Sequence, residues 1–328
     1  MRRILSALTA AAALWVIASC GGRPSGSSQA PAVQHFPSVE ALGIYTDPAE
    51  RLAFLAEHFW DAFMDPSFRG ACDSSHVKGI PKTDLETQFG MFSTILWQTD
   101  NRTAVRASEA LFRMAESCER ADTSSNVFET VTELARKYFY DPNSPVRNEE
   151  FFLPYVTGLA GSDIVPESMK PACQYEAKMC SLNRVGAPAA DFAFKDLSGK
   201  VSTLYGIKAD FTLLFFSNPG CPSCKEITEA IESDPGIHSL LNDGRLAVVN
   251  IYIDLELDKW REYASGYPKE WHSGYDFNYI IRTDQIYNVR AIPSLYLLDR
   301  DKKVIMKDAP QERIFALLSA VTGSGPVS

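Results

Sequence analysis

The sequence predicts two folded domains, an all-α domain followed by an α/β domain. The chain has 328 residues, which at roughly 150 residues per domain leaves room for two domains and some sequence outside them. Apolar residues recur at helical spacing in the first half, whereas apolar strands alternate with helices in the second half. Hydrophobic residues at 45% and charged residues at 22% are typical of a globular chain with a sizeable core.

The first 19 residues have the layout of a secretory signal peptide. A basic start is followed by an apolar run over residues 4–17 that is too short to span a bilayer. Ile17-Ala18-Ser19-Cys20 resembles the bacterial lipobox, in which cleavage precedes a lipid-modified Cys. The sequence therefore predicts that Cys20 anchors the protein to the lipid bilayer of the cell envelope, facing the periplasm. Gly21 replaces the Asp that usually retains such lipoproteins at the inner membrane, which favours the outer membrane. An uncleaved leader with an incidental Cys is the alternative.

A flexible tether over residues 20–45 precedes the predicted helical domain, residues 46–183. Asp47, Pro48 and Glu50 have the order of an N-cap, N1 and N3 at a helix start. The apolar stripes that predict helices are Leu52, Leu55, Phe59 and Phe63, then Leu85, Phe89, Phe92 and Leu96, then Val127, Val131, Leu134 and Tyr138. Strand-like alternation is absent here, and two further helices are predicted near residues 149–159 and 171–182. No catalytic group of residues is visible in this domain. Its expected role is therefore that of a spacer, a dimer surface or a substrate-recognition element.

The α/β domain is predicted over residues 184–322, with a flexible tail at 323–328. A hairpin is expected between residues 191–194 and 201–204. Phe211–Ser217 and Arg245–Asp254 are apolar runs typical of strands buried on both faces. A second hairpin, residues 295–298 with 303–306, is predicted to close the sheet.

Cys221-Pro222-Ser223-Cys224 lies where the first buried strand ends and a helix begins. Free N–H groups and the positive end of the helix dipole stabilise a thiolate at a helix start, so Cys221 is the predicted nucleophile. Cys224, one turn later, can attack the mixed disulfide and leave a Cys221–Cys224 disulfide. Pro222 fits the first helical turn, and Pro222 and Ser223 are expected to face the substrate.

The cysteines fit neither a zinc site nor the peroxiredoxin pattern. A zinc site needs four ligands, but six residues separate Cys173 from Cys180 in a helical segment and the five His residues are scattered, so no metal and no cofactor is expected. Asn218 and Leu214 occupy the positions at which a peroxiredoxin carries Thr or Ser and Pro. An inert structural disulfide remains the competing reading.

The CPSC motif between strand and helix, Ile292-Pro293 located 69 residues after Cys224, and the hairpin that follows resemble the thioredoxin-like family. The segment 258–279 and the entry hairpin resemble its TlpA-like and AhpC/TSA-like branch. The whole chain resembles bacterial lipoproteins that join a helical domain of unknown function to such a module. The resemblance implies that Pro293 is cis beside the redox pair and that Ile292 pairs with substrate backbone.

Two positions depart from that family. Phe215 stands where thioredoxin has a buried acid, and Gly220 stands where a Trp usually precedes the first Cys. Proton transfer to and from Cys224 is therefore unassigned. Glu226 could assist, although a solvated helix face is its simpler role.

Four further cysteines, Cys72, Cys118, Cys173 and Cys180, form an even set that allows three pairings in an exported protein. On one helix, Cys173 and Cys180 would be about 10 Å apart, beyond the disulfide limit of about 7 Å. That distance disfavours their bridge and the complementary Cys72–Cys118 bridge, and four free thiols remain an alternative.

The formal net charge is −9, and it becomes −11 without Arg2 and Arg3. No basic patch is visible, so nucleic acid is excluded as a partner. The predicted function is a membrane-anchored thiol–disulfide oxidoreductase that reduces oxidised protein substrates and receives electrons from a membrane or periplasmic thiol reductase. The alternatives are an interaction protein with a structural CPSC and a disulfide isomerase.

Overall fold

The computed structural model describes residues 34–41 and 43–323. The predicted leader, Cys20, most of the tether and the last five residues lie outside the described residues. Within the described ranges, no helix has both the length and the apolar character needed to cross a membrane.

The first part of the chain is helical, as predicted. Its helices are α1 Pro48–His58, α2 Asp61–Met64, α3 Lys82–Gln98, α4 Asn101–Ala121, α5 Val127–Ala135, α6 Glu149–Gly161 and α7 Lys170–Cys180. Asp47 caps α1 by accepting a hydrogen bond from the Ala49 N–H at 2.9 Å. The apolar face of α3 is fully buried through Leu85, Phe89 and Phe92. These faces meet in one aromatic-rich core between the helices.

The helix predicted from Leu52 through Phe63 is interrupted. Helix α1 ends at His58, and a turn at Phe59 and Trp60 leads into the short α2. Trp60 is only 1% exposed and packs edge-on against Phe92 and Phe63. The turn therefore lets the indole enter the core together with both phenylalanines.

The stripe predicted to end at Tyr138 is wrong by one position. After α5 the chain makes a π-helical turn, Arg136–Tyr140. A π turn holds one more residue than an α turn and rotates the following side chains. As a result Phe139 is completely buried, while Tyr138 is only half-buried.

The helical region also contains a small hairpin that the sequence analysis did not predict. Strands β1 His76–Val77 and β2 Ile80–Pro81 pair in antiparallel fashion. Lys78 and Gly79 both have positive φ, 49° and 78°, as the tightest hairpin turns require. Strands of two residues are too short to show the alternation from which a strand is recognised.

The second part of the chain forms a seven-stranded mixed sheet. Its strands are β3 Ala193–Lys195, β4 Val201–Thr203, β5 Phe211–Phe216, β6 Leu246–Tyr252, β7 His272–Tyr275, β8 Ser294–Leu298 and β9 Val304–Met306. The spatial order is β4-β3-β7-β6-β5-β8-β9. Strands β5, β6 and β7 are parallel, and β8 runs antiparallel beside β5.

Helices cover this sheet, and β5 lies near its centre. The helices are α8 Pro222–Ser233, α9 Pro235–Asn242, α10 Leu257–Ala264, α11 Ile280–Thr283 and α12 Gln311–Gly323. Alternate residues of β5 enter two different cores. Leu214 and Phe216 belong to one core, whereas Leu213 and Phe215 belong to the core that contains Cys224.

Cys72, Cys118, Cys173 and Cys180 are all free thiols. Cys173 lies in the first turn of α7 and Cys180 is its last residue, consistent with the distance argument against their bridge. Cys72 and Cys118 line a cavity of ≈ 880 Å³ in the helical region. Burial raises the pKa of the Cys118, Cys173 and Cys180 thiols, which makes them weaker nucleophiles than an exposed Cys.

Gly158 provides a test of the contact between α4 and α6. A Cβ at this position would lie 2.2 Å from the Phe112 ring, whereas a Cβ at Gly161 of the same helix would meet nothing within 4 Å. We expect Gly158→Ala to lower the free energy of unfolding by about 1–3 kcal/mol because Phe112 must shift in a packed core. We expect Gly161→Ala to change it by less than about 0.5 kcal/mol. Urea unfolding of both variants checks this, and equal midpoints would contradict the described packing.

Candidate active site

The loop between β5 and α8 turns the chain sharply toward the helix start. Gly220 has a φ of 73°, which favours glycine because it carries no Cβ. The Cys221 N–H closes the turn by donating to the Asn218 carbonyl at 3.3 Å. The Trp that usually precedes the first Cys in thioredoxins would be strained at this φ, which accounts for the departure at Gly220.

Cys221 is the N-cap residue of α8. Its Sγ accepts a hydrogen bond from the Cys224 N–H at 3.1 Å. A thiolate at this position would interact with the free N–H groups of the first turn and with the positive end of the helix dipole. The structure therefore gives Cys221 the electrostatic setting of a reactive thiol.

Cys221 and Cys224 are joined by a disulfide, with their Cα atoms 5.2 Å apart. Cys221 is half-buried, whereas Cys224 is only 5% exposed. Pro222 and Ser223, between them, are both exposed. A partner molecule can thus approach the Cys221 sulfur but not the Cys224 sulfur.

The Ile292–Pro293 peptide bond is cis, and strand pairing brings it to the same end of the sheet. Ser294 of β8 lies opposite Phe216 of β5, so the antiparallel register carried one residue further places Pro293 level with Ser217. Ile292 and Cys221 both pack against the core that contains Cys224. The fold thus places the CPSC motif and the Ile292–Pro293 pair at the same end of the sheet.

Hydrogen bonds to the end of β6 hold the cysteine loop, through residues that were not predicted for the site. Ser217 Oγ lies 2.5 Å from Asn250 Oδ1, and Asn218 Nδ2 donates to Asp254 Oδ2 at 2.5 Å. Asp254 in turn forms an ion pair with Arg282 at 2.6 Å. The sequence could have indicated these residues, because polar residues follow both buried strands and parallel strands end at the same sheet edge.

No carboxylate takes the place of the buried acid of thioredoxin. Phe215 is completely buried, and its ring lies against Trp271 at 6.4 Å between centroids. Glu226 is exposed on α8. In the described residues, the Cys224 side chain is surrounded by apolar groups of the core.

Among the described residues, no group of three or more His, Cys, Asp or Glu side chains could hold a metal ion. The cysteine pair also lies outside the ≈ 880 Å³ cavity, which belongs to the helical region. The site is instead a surface that exposes one sulfur of a dithiol/disulfide pair. Its chemistry is of the redox type, since such a pair exchanges two electrons with a substrate disulfide.

Both parts of the chain are similar to known proteins. The profile of DUF5106, a domain of unknown function, matches residues 19–183. A crystal structure of a thioredoxin-like protein from Bacteroides caccae is similar over 88% of this chain and 99% of its own, with 34% sequence identity and a TM-score of 0.73.

Two further solved structures cover the shorter span of a single domain. The C-terminal domain of an uncharacterized protein from Bacteroides fragilis has 41% identity over 42% of this chain and 98% of its own, with a TM-score of 0.41. The thioredoxin domain of a thiol-disulfide oxidoreductase from Bacteroides vulgatus has 16% identity over 42% and 98%, with a TM-score of 0.38. No curated protein matches the sequence. The profile match and the similarity to the B. caccae protein together show that the chain belongs to the DUF5106 family and to the thioredoxin-like proteins.

Proposed function

We propose that the protein is a thiol–disulfide oxidoreductase that reduces disulfides in proteins of the bacterial cell envelope. The observation that carries the proposal is the asymmetry of the cysteine pair. Cys221 is accessible at the N-cap of α8, whereas Cys224 is buried one turn later and within bonding distance. A purely structural disulfide has no need of an exposed sulfur at a helix start.

The reaction begins with the Cys221 thiolate, which attacks one sulfur of a substrate disulfide. A mixed disulfide forms, and the other substrate sulfur leaves as a thiolate that takes a proton from water. The Cys224 thiol then gives its proton to water and attacks the Cys221 sulfur, which breaks the mixed disulfide and releases the second substrate thiolate to take up a proton. Two electrons pass to the substrate and leave the Cys221–Cys224 disulfide, so a dithiol reductase must supply two electrons for the next cycle.

The surroundings of Cys221 favour the reducing direction. A strongly stabilised thiolate makes a pair oxidising, but the hydrogen bond that the described structure gives the Cys221 sulfur comes from the Cys224 N–H alone. Pro222 and Ser223 carry no charge, and the ammonium group of Lys225 lies 3.5 Å from Glu229. The helix terminus contributes at most about 2 kcal/mol to the stabilisation of a thiolate, which is modest.

Attachment to a membrane is the second part of the proposal, and it rests on the sequence alone. Cys20 lies outside the described residues, directly after an apolar leader. A lipid on this Cys would hold the catalytic domain at the bilayer through the tether, since each buried CH₂ contributes about 0.8 kcal/mol. Oxidised envelope proteins would then be the substrates, and a thiol reductase of the membrane or periplasm the electron donor.

Substitution of the two cysteines tests the mechanism. We expect Cys221→Ser to abolish the reduction of insulin, because it removes the attacking sulfur. We expect Cys224→Ser to accumulate mixed disulfides through Cys221, because the resolving sulfur is missing. Cys118→Ser, which alters a half-buried thiol of the helical region, serves as the control and should leave turnover unchanged. Retention of activity by both active-site variants would exclude the redox mechanism.

Equilibration with glutathione tests the direction of electron flow. We expect a reduction potential near the value of about −270 mV found for thioredoxin, because within residues 34–41 and 43–323 the Cys221 sulfur receives its hydrogen bond from the start of α8. Quantification of the reduced and oxidised forms by thiol alkylation gives the potential. A value above about −180 mV, typical of an isomerase, would contradict the reducing direction and support an oxidase or isomerase.

Cell fractionation tests the membrane anchor. We expect Cys20→Ala to move the protein from the membrane fraction to the soluble fraction, because it removes the atom that carries the lipid. Ser19→Ala, which keeps a small residue before the Cys, is the matched control and should remain in the membrane. A processed Cys20→Ala protein that stayed in the membrane fraction would disprove the anchor.

A further inference from the structure

Glu149 is a buried carboxylate at the contact between the helical region and the sheet. It is the first residue of α6 and is 1% exposed. Arg290 Nε lies 3.0 Å from its Oε1 and Lys307 Nζ 2.7 Å from its Oε2. The basic partners come from the thioredoxin-like part and are themselves mostly buried. Glu149 therefore joins the two parts of the chain by charge.

Two partners of Glu149, Asn288 and Arg290, belong to the loop that precedes β8. Asn288 Nδ2 donates to Glu149 Oε1 at 2.6 Å, and Arg290 stands two residues before Ile292. Arg290 also donates to the Tyr140 carbonyl, and its guanidinium lies 4.2 Å from the centre of the Tyr140 ring. The side chains of Asn288 and Arg290 thus attach the segment before Ile292 and Pro293 to the helical region.

The other side of the loop is fastened within the thioredoxin-like part. Ser294 Oγ donates to Asp308 Oδ1 at 2.7 Å, and Arg290 Nη2 reaches Asp308 Oδ2 at 2.8 Å. Ile292 and Pro293 lie between these two anchors. Because Ile292 packs against the same core as Cys221, a shift of either anchor would change how Ile292 packs at the active-site end of that core.

We propose that Glu149 is a positioning residue that holds the 288–294 loop beside Cys221, so that the helical domain shapes the surface against which a protein disulfide docks. The inference rests on the proposed function. It gives the helical domain a role in the recognition of protein substrates. A small disulfide, which needs only to reach the half-buried Cys221, would not depend on the loop.

Glu150 supplies a matched control for a purely structural role. It lies in the same helical turn, is also 1% exposed and forms an ion pair at 2.7 Å with Arg184, whose side chain is 39% exposed. Its further hydrogen bond comes from the Val185 N–H. These partners precede the sheet and do not belong to the 288–294 loop, so loss of the Glu150 charge alters domain contacts without releasing the loop.

The experiment compares full-length Glu149→Gln and Glu150→Gln with the parent protein, using insulin and the small disulfide DTNB as substrates. Glutamine leaves Lys307 and Arg290 facing a neutral amide, so the loop loses its charged anchor. We expect Glu149→Gln to raise KM for insulin about tenfold, within the 100-fold range of misplacement effects, and to leave the rate with DTNB within about twofold of the parent. Glu150→Gln should keep the insulin-to-DTNB ratio of the parent.

The outcomes separate this inference from the proposed function. If the parent protein reduced neither substrate, the proposed function itself would be wrong. If the parent reduced both and Glu149→Gln kept the parent ratio, the positioning role would be wrong. If Glu149→Gln failed to fold, Asn288→Ala would test the positioning role instead, because it removes the 2.6 Å hydrogen bond that the loop donates to Glu149. A selective loss with insulin would support the role, and an unchanged ratio would overturn it.

Discussion

The burial of β5 on both faces determines where the reactive groups of this protein lie. Six consecutive apolar or β-branched residues, Phe211–Phe216, pair with β6 on one side and β8 on the other. Neither face can turn to solvent without exposing a core, so the register of both neighbours is set. The cysteine loop therefore leaves β5 at the same edge at which the Ile292–Pro293 loop enters β8.

A second constraint is the charged contact between the two parts of the chain. Glu149, Arg290, Lys307 and Asp308 have little access to solvent and form a connected set of ion pairs. Burial of such groups costs free energy that their mutual attraction only partly returns. The ion pairs instead fix the orientation of the two parts of the chain, because a guanidinium binds carboxylates in a fixed geometry. An apolar contact of equal area would permit sliding.

Periodicity and motif spacing were enough to predict the helical domain, the central strands and the CPSC motif at a helix start. Periodicity gave the wrong helix path where packing determines it, at the turn of Phe59 and Trp60 and in the π-helical turn Arg136–Tyr140. The charged contact could not be predicted, because its members are far apart in sequence and each reads as an ordinary solvated side chain. Only the fold shows that Glu149 and Arg290 meet.

The separation of Glu149 from Arg290, 141 residues along the chain, bears on the order in which the protein can acquire its native state. Helix α6 precedes its cationic partners in the chain, so Glu149 stays in contact with water until those partners pack against it. Closure of so long a loop is entropically costly and slows folding. A chain that ends before Arg290 would therefore leave Glu149 and the surface around it without their cationic partners.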